Sequence, residues 1–298
     1  MRFAFTDDQL AFRDAARDLL EKECPPSAVR AAWTNETGRV PGLWDKLVGM
    51  GLFELDELDS VLVLEETGRA CVPEPVVEAW ACGMPNATLS IYGTPFALSA
   101  DGVEVVVAQR GDRLARATVG ERRTSVDGSR RLFEVQPTDE ILPLDVAVVA
   151  ERAAMAAAAQ LVGLAQHMID MSVAYVSQRE QFGKPVGSFQ AVKHHLADAA
   201  VRLEFARPCV HVAAWMLAKE ATREARMQVV SLAKAQASEA ALLAARKALQ
   251  VHGAIGYTDE YDLHMWMKRA WALAAAWGDA AWHRTRITDA ILKGTSDA

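Results

Sequence analysis

Beyond Pro143 the chain is rich in Ala, Leu and Met, and its apolar positions recur at helical spacing for about 150 residues. The pattern predicts four long helices, at about 146–178, 188–217, 221–253 and 260–293, with glycine-bearing segments between them. Long helices joined by short links have few ways to hide their apolar stripes from water, and an antiparallel bundle is the common solution. The alanine-rich stretch at 153–159 fits such a bundle, where small side chains let helix axes approach closely. About half of the chain is thereby committed to one architecture.

The first 143 residues read differently. Thr6 precedes Asp7-Asp8-Gln9 and can cap a helix over residues 6 to 22, with the acids at its positive end and a stripe made by Leu10, Phe12, Ala16 and Leu19-Leu20. Pro25-Pro26 ends it. Pro41-Gly42-Leu43-Trp44 opens a second helix that Gly49-Met50-Gly51 terminates, and a third covers Leu58 to Ala70, its periodic run closed by Gly68. From Thr94 the period changes. Val103–Val107, Leu114–Val119 and Arg131–Val135 are short β-prone runs separated by Gly, Asp and Ser. The expected fold is mostly α: an α-helical N-terminal domain over 1–93, a small β-domain over 94–143 and a C-terminal four-helix bundle over 144–298.

Composition narrows the function. At 298 residues, 51% of them hydrophobic, the chain can bury a substantial core. A net charge of -7 without a long basic run gives no electrostatic footprint for nucleic acid. Cys24, Cys71, Cys82 and Cys209 have neither CxxC spacing nor the density of a disulfide scaffold, so they read as buried reduced thiols, consistent with a cytoplasmic protein. No uninterrupted apolar run of about 20 residues stands in the sequence, and Met1-Arg2-Phe3-Ala4-Phe5 opens amphipathically, so neither a membrane span nor a secretory leader is expected.

Two segments interrupt the helical half. One is Ser177-Gln178-Arg179-Glu180-Gln181-Phe182-Gly183-Lys184-Pro185, closing with Phe189-Gln190; the other is Gln250-Val251-His252-Gly253-Ala254-Ile255-Gly256-Tyr257-Thr258-Asp259-Glu260-Tyr261. Each residue alone has an ordinary reading, such as a surface arginine or a core phenylalanine. Together, and at this separation, they resemble the flavin-binding signatures of acyl-CoA dehydrogenases, and the order helices, β-domain, bundle resembles that family along the whole chain. The resemblance implies FAD, with its isoalloxazine against the β-domain of one subunit and its ADP portion held by the bundle of a neighbour. It assigns Arg179 to the pyrophosphate, which a guanidinium fork matches better than a point-like ammonium. Gln181 or its backbone adds a polar contact, Phe182 a flat apolar surface, Gln190 an amide, Gln250 a reach to the ADP unit, and Gly253 a close backbone approach. Ala254 stands where the family has a second glycine. His194 and His195 follow the first signature without the carboxylate or cysteine spacing of a metal site, so a structural role is expected.

The same resemblance exposes a gap. In the family a glutamate removes the α-proton of the acyl-CoA. One family position for it falls here on Trp277, within Trp277-Gly278-Asp279, and the alternative position falls on Ala153. Indole cannot accept that proton. Glu151 lies about half a helical turn from the second position, and Glu260 matches a family residue outside proton transfer. Trp266 and Trp277, like Trp271 and Trp282, are spaced for shared faces of one helix, which favours core and subunit-interface packing. The β-domain is also truncated, about 70 to 80 residues of a typical member being absent between the N-terminal helices and the bundle. The pattern is similar to the short subunits of heteromeric acyl-CoA dehydrogenases of actinobacterial steroid catabolism. It implies an α2β2 heterotetramer in which a homologous catalytic subunit supplies the flavin-ring pocket and the base. The complex would carry out an early step in β-oxidation of a steroid side-chain acyl-CoA, as in cholesterol catabolism and lipid metabolism, passing electrons to an electron-transfer flavoprotein. The competing readings are a homomeric dehydrogenase that uses Glu151 or Asp279 as base, and a non-enzymatic scaffold that stabilises a partner.

Overall fold

A computed structural model describes residues 4–92, 94–219 and 221–296, with side chains to residue 292; the opening Met1-Arg2-Phe3 lies outside the described residues. Thr6 caps α1 (Asp7–Glu23) in a reciprocal capping box, accepting from the Gln9 N–H while the Gln9 side chain accepts from the Thr6 N–H. The proline pair then does more than end α1. Pro25 is the N-cap and Pro26 the first residue of α2 (Pro26–Thr34), because proline's fixed φ suits the first helical turn and its missing N–H is not needed there. α3 (Leu43–Gly49) and α4 (Glu57–Arg69), capped by Asp56, follow as expected.

Gly68 does not close α4 but lies inside it, where α4 crosses the first bundle helix α6 (Val146–Gln178). A Cβ on Gly68 would collide with the Gln160 backbone, and one on Gly163 with the Glu65 carbonyl oxygen. The two glycines thus let the helix backbones touch. A further buried helix, α5 (Val76–Cys82), follows, which the sequence pattern did not single out.

The sheet begins earlier than the β-prone runs indicate, with β1 (Ala87–Ser90) and β2 (Phe96–Leu98), followed by β3 (Val105–Arg110), β4 (Arg113–Arg123) and β5 (Leu132–Leu142). Their order is β1-β3-β4-β5-β2, with β1 parallel to β3 and the remaining pairs antiparallel. Thr88 Oγ1 donates to the Leu98 carbonyl at 2.6 Å, drawing the two edge strands together. The loop between β4 and β5 reaches the bundle. There the buried Asp127 accepts from Arg269, whose guanidinium also donates to the Val72 carbonyl and to Ser129 Oγ at 2.7 Å. The pairing holds Asp127 below the usual carboxylate range despite its burial.

In the bundle, α6 is followed by α7 (Gln190–Ala218) and α8 (Arg223–His252). α6 is long and apolar enough to cross a membrane by length and composition, which the search for an unbroken apolar run did not reveal; 78% of its most apolar window is buried inside the protein. The fourth helix is not continuous. It divides into α9 (Leu263–Ala275) and α10 (Ala280–Ser296), because Trp277 and Gly278 take left-handed conformations with φ of 59° and 88°. The tryptophan spacing therefore does not describe one helix face. Trp266 and Trp271 are on α9, Trp277 is in the corner and Trp282 is on α10. Cys24, Cys71 and Cys82 are buried, Cys209 is half-buried, and all four thiols are free.

Candidate functional site

The first signature forms a tight hairpin at the end of α6. Arg179 follows the last helical residue, its N–H bonded to the Tyr175 carbonyl and its own carbonyl accepting from Val186 N at 2.7 Å. Short strands β6 (Glu180–Gln181) and β7 (Lys184–Pro185) pair across Phe182-Gly183, both at positive φ, as a two-residue hairpin turn requires. For Phe182 this conformation is strained, and its ring is 91% exposed, meeting Phe189 edge-on at 6.1 Å. The Lys184 ammonium lies 4.4 Å from the Phe189 ring centre.

The second signature ends α8. Gly253 has φ 66° and ψ -144°, which a side chain strongly disfavours, and nothing lies within 4 Å of where a Cβ would sit. The signatures meet through a stack: Tyr175 and His252 are nearly parallel at 4.3 Å, with Tyr261 4.9 Å from His252. Arg179 is four residues beyond Tyr175 and Gly253 one beyond His252, so both open from one end of the bundle. Arg179, Gln181, Phe182, Gln190, Gln250, Gly253 and Ala254 are all exposed. Gln181 donates to the Glu180 carbonyl, whereas Arg179, Gln190 and Gln250 make no side-chain hydrogen bond or ion pair with a described residue. Unpaired donors beside an open aromatic ring can take an anionic ligand with a flat part. His195, further along α7, faces Lys247 at 3.1 Å, and Lys247 also pairs with Asp198.

Ala153 and Trp277, the residues that the family resemblance sets at the base positions, lie apart from the open end. Ala153 is fully buried on α6, and Trp277 forms the α9–α10 corner. Beneath that corner lies Lys234, a residue the sequence reading missed. It is wholly buried and donates to Ser238 Oγ at 3.2 Å and to the carbonyls of Ala274 and Gly278 at 3.2 and 3.0 Å. Burial lowers its pKa to about 7. The sequence does carry a signal: Val230, Ala237, Ser238 and Ala241 surround Lys234 at helical spacing, on a stripe of small buried residues. His283 closes the corner from the other side, Nε2 donating to the Trp277 carbonyl at 3.0 Å. Burial lowers its pKa to about 3, so the ring is neutral. A Cβ on Gly278 would run into the Trp282 and His283 rings.

Neither displaced acid is a free base. Glu151 is 2% exposed and paired with Arg226 at 3.1 Å, and burial, partly opposed by Arg226, raises its pKa. Asp279 caps α10 by accepting from Trp282 N at 2.8 Å. Glu260 is exposed.

Comparison with known proteins matches one family at both ends of the chain. Residues 6–96 match the N-terminal domain of acyl-CoA dehydrogenases and residues 147–292 the C-terminal domain. The chain belongs to the acyl-CoA dehydrogenase family. FAD is the cofactor of that family. Acyl-CoA dehydrogenase IpdE2 of Mycolicibacterium smegmatis is 32% identical over 297 aligned residues, 89% of this chain and 93% of the relative. IpdE2 of Mycobacterium tuberculosis is 30% identical, covering 89% and 91%. With the probable acyl-CoA dehydrogenase YngJ of Bacillus subtilis, 26% identical, the alignment covers 98% of this chain and all of the relative. It runs to 389 positions, so YngJ carries a stretch this 298-residue chain lacks. Among solved structures, the Tcur3481-Tcur3483 steroid acyl-CoA dehydrogenase superposes with a TM-score of 0.84 at 22% identity, covering 97% of this chain and 99% of that one. The ChsE4-ChsE5 complex of Mycobacterium tuberculosis gives 0.84 at 18% identity, with 98% and 99% covered. The mostly α acyl-CoA dehydrogenase fold expected from the sequence is thus the observed one.

Proposed function

We propose that the chain is the non-catalytic subunit of a heteromeric FAD-dependent acyl-CoA dehydrogenase and holds the ADP half of a FAD whose ring and catalytic base belong to a homologous partner subunit in an α2β2 assembly. One observation carries the reading: the Arg179–Gln250 end of the bundle is open and its side chains are unpaired, and with Trp277 and Ala153 at the positions that the family resemblance gives to the base, the chain would offer no base of its own. Arg179 would meet the pyrophosphate, Gln190, Gln181 and Gln250 would bond the adenosine side, and Phe182 would cover a flat face. Gly253 and Ala254 would let the α8 end approach. FAD, when bound, supplies the hydride acceptor; this chain contributes binding and no proton transfer.

The assembly would convert an acyl-CoA to its trans-2-enoyl-CoA in the cytoplasm and pass electrons to an electron-transfer flavoprotein. A steroid side-chain thioester is the proposed substrate. The fold likeness to a solved steroid acyl-CoA dehydrogenase supports this choice, and the likeness to the ChsE4-ChsE5 complex supports the two-subunit assembly. The relocated-base reading is disfavoured by the Glu151–Arg226 pair and the capping role of Asp279.

The test is co-expression with the partner, followed by flavin content and turnover. One FAD per heterodimer, lost in Arg179→Ala and Gln250→Ala, is the expected result. Full flavin retention in both variants would favour a non-enzymatic scaffold, and one tightly bound FAD per isolated chain would favour a homomeric enzyme. In the complex, Glu151→Gln and Asp279→Asn are expected to leave turnover unchanged.

A further inference from the structure

The outward face of α7 is apolar where a surface helix is ordinarily charged. Val201, Phe205, Pro208, Val212 and Trp215 are all exposed, Phe205 to 70%, while Leu203, Ala206 and Val210 between them are buried in the bundle. The exposed five follow one another at intervals of 4, 3, 4 and 3 residues, the alternation that keeps a seam straight along a neighbouring helix. From Val201 to Trp215 the seam runs about 21 Å by helical rise. It is not a continuation of the flavin clamp: between Gln190 and Val201 the exposed positions of α7 include Lys193, His194 and Asp198. A run of apolar side chains on one face, bounded by charge, marks a surface that another protein covers.

Two features indicate what covers it. The seam is nearly symmetric about Pro208. Turned end over end, its spacing falls back on itself to within one residue, which sets Val201 against Trp215 of a second copy and Phe205 against Val212. The charges at its two ends also match. Asp198, just before the seam, is exposed and pairs within the chain only with Lys247, at 3.0 Å. Lys219, just after it, is exposed and makes no side-chain hydrogen bond or ion pair with a described residue. The same turn that superposes the apolar positions brings Asp198 of each copy to Lys219 of the other, so opposite charges meet at both ends.

We propose that α7 is a self-complementary seam on which a second copy of this chain packs antiparallel across a two-fold axis, so that two heterodimers join through like subunits. An isologous contact of this kind uses one patch twice, and each favourable pair is made twice. The joining of heterodimers rests on the two-subunit reading; the self-association of the chain does not. A strip one helix wide is small beside the roughly 800 Å² per partner of a stable interface, so the contact is expected to be reversible in the chain alone.

Sedimentation velocity of the full chain, alone and co-expressed with the catalytic partner, tests it. The chain alone is expected to form a reversible dimer that Phe205→Glu and Trp215→Glu each weaken about tenfold or more, a factor of ten being about 1.4 kcal/mol. In the complex, the same variants are expected to reduce a 2:2 particle to 1:1 with one FAD kept per heterodimer. Asp198→Lys sets like charges together at both ends and weakens the dimer; adding Lys219→Asp to the same chain restores it, a rescue that only contact of this face with itself gives. A wild-type chain that stays monomeric, a dimer unchanged in Phe205→Glu and Trp215→Glu, or a double swap that fails to restore association overturns the proposal. Loss of the partner and FAD together in these variants also overturns it, because the seam would then hold the partner. A chain that dimerises through α7 but forms no complex with the partner supports the seam and removes the two-subunit reading. The substituted side chains are exposed, so the thermal midpoint of the variants reports that the fold is kept.

Discussion

At one end of the bundle Arg179, Gln190 and Gln250 stand exposed without side-chain partners. At the α9–α10 corner, roughly 24 Å away along α8 by helical rise, Lys234 and His283 are buried and tied to backbone carbonyls. Both regions contain glycines at positive φ, but for different reasons. Gly253 is surrounded by space, whereas Gly278 is packed beneath two rings. An open, strained turn is what a binding surface needs; a closed, fully bonded one is what a core needs. Under the proposed function, the open end would keep a binding geometry while the closed corner carries no chemistry, since the two depend on different residues.

The sharpest way to break the contrast is to put a methyl group on each glycine. Gly278→Ala meets both backbone strain and a steric collision, and is expected to cost about 3–5 kcal/mol by denaturant titration. Gly253→Ala meets only the strain and should cost about 1–3 kcal/mol. Equal losses would mean that the corner relaxes and is not a packed plug.

Removing charge from the open end should affect binding and leave stability nearly untouched. Arg179→Ala in the assembled complex is expected to weaken FAD about 10- to 100-fold, measured by flavin release during dilution, with unfolding free energy changed by less than about 0.5 kcal/mol. A loss of stability with flavin retained would reverse the roles given to the two regions.

The smallest effect is a slope. The pKa of Lys234 is about 7 in the fold and 10.5 when free, so between those values the unfolded chain holds more protons and stability rises with pH. Between about pH 7.5 and 8.5 this group is expected to add up to about 1.4 kcal/mol per pH unit to the wild-type slope, on top of an opposing contribution from the buried thiols that a Lys234 variant shares. Lys234→Met removes that gain. Unfolding curves with the same slope in both proteins would show that Lys234 is not the buried titrating group.

Much of this was legible in the sequence because it depends on local chemistry. The Thr6 cap and the glycine-bearing breaks between the bundle helices are set by residues within a few positions of each other. The long bundle helices follow from apolar spacing, and the two signatures identify the family. Trp277 as a non-base is equally a matter of residue type. Where the reading failed, distant contacts decided. Gly68 looked like a terminator because nothing in its own helix shows that Gln160 passes against it. The fourth helix looked continuous because the break at Trp277–Gly278 is stabilised from outside, by Lys234 on α8 and His283 on α10.

The sequence by itself therefore determined the family, the helical bundle and the local chemistry of the two signatures. Only the tertiary structure decided that Glu151 is paired with Arg226, that Lys234 is buried beneath the corner, and that the fourth bundle helix breaks at Trp277 and Gly278. The physical reason is range. Turn and cap preferences act within one or two helical turns, whereas burial and charge depend on which distant segments the fold brings together.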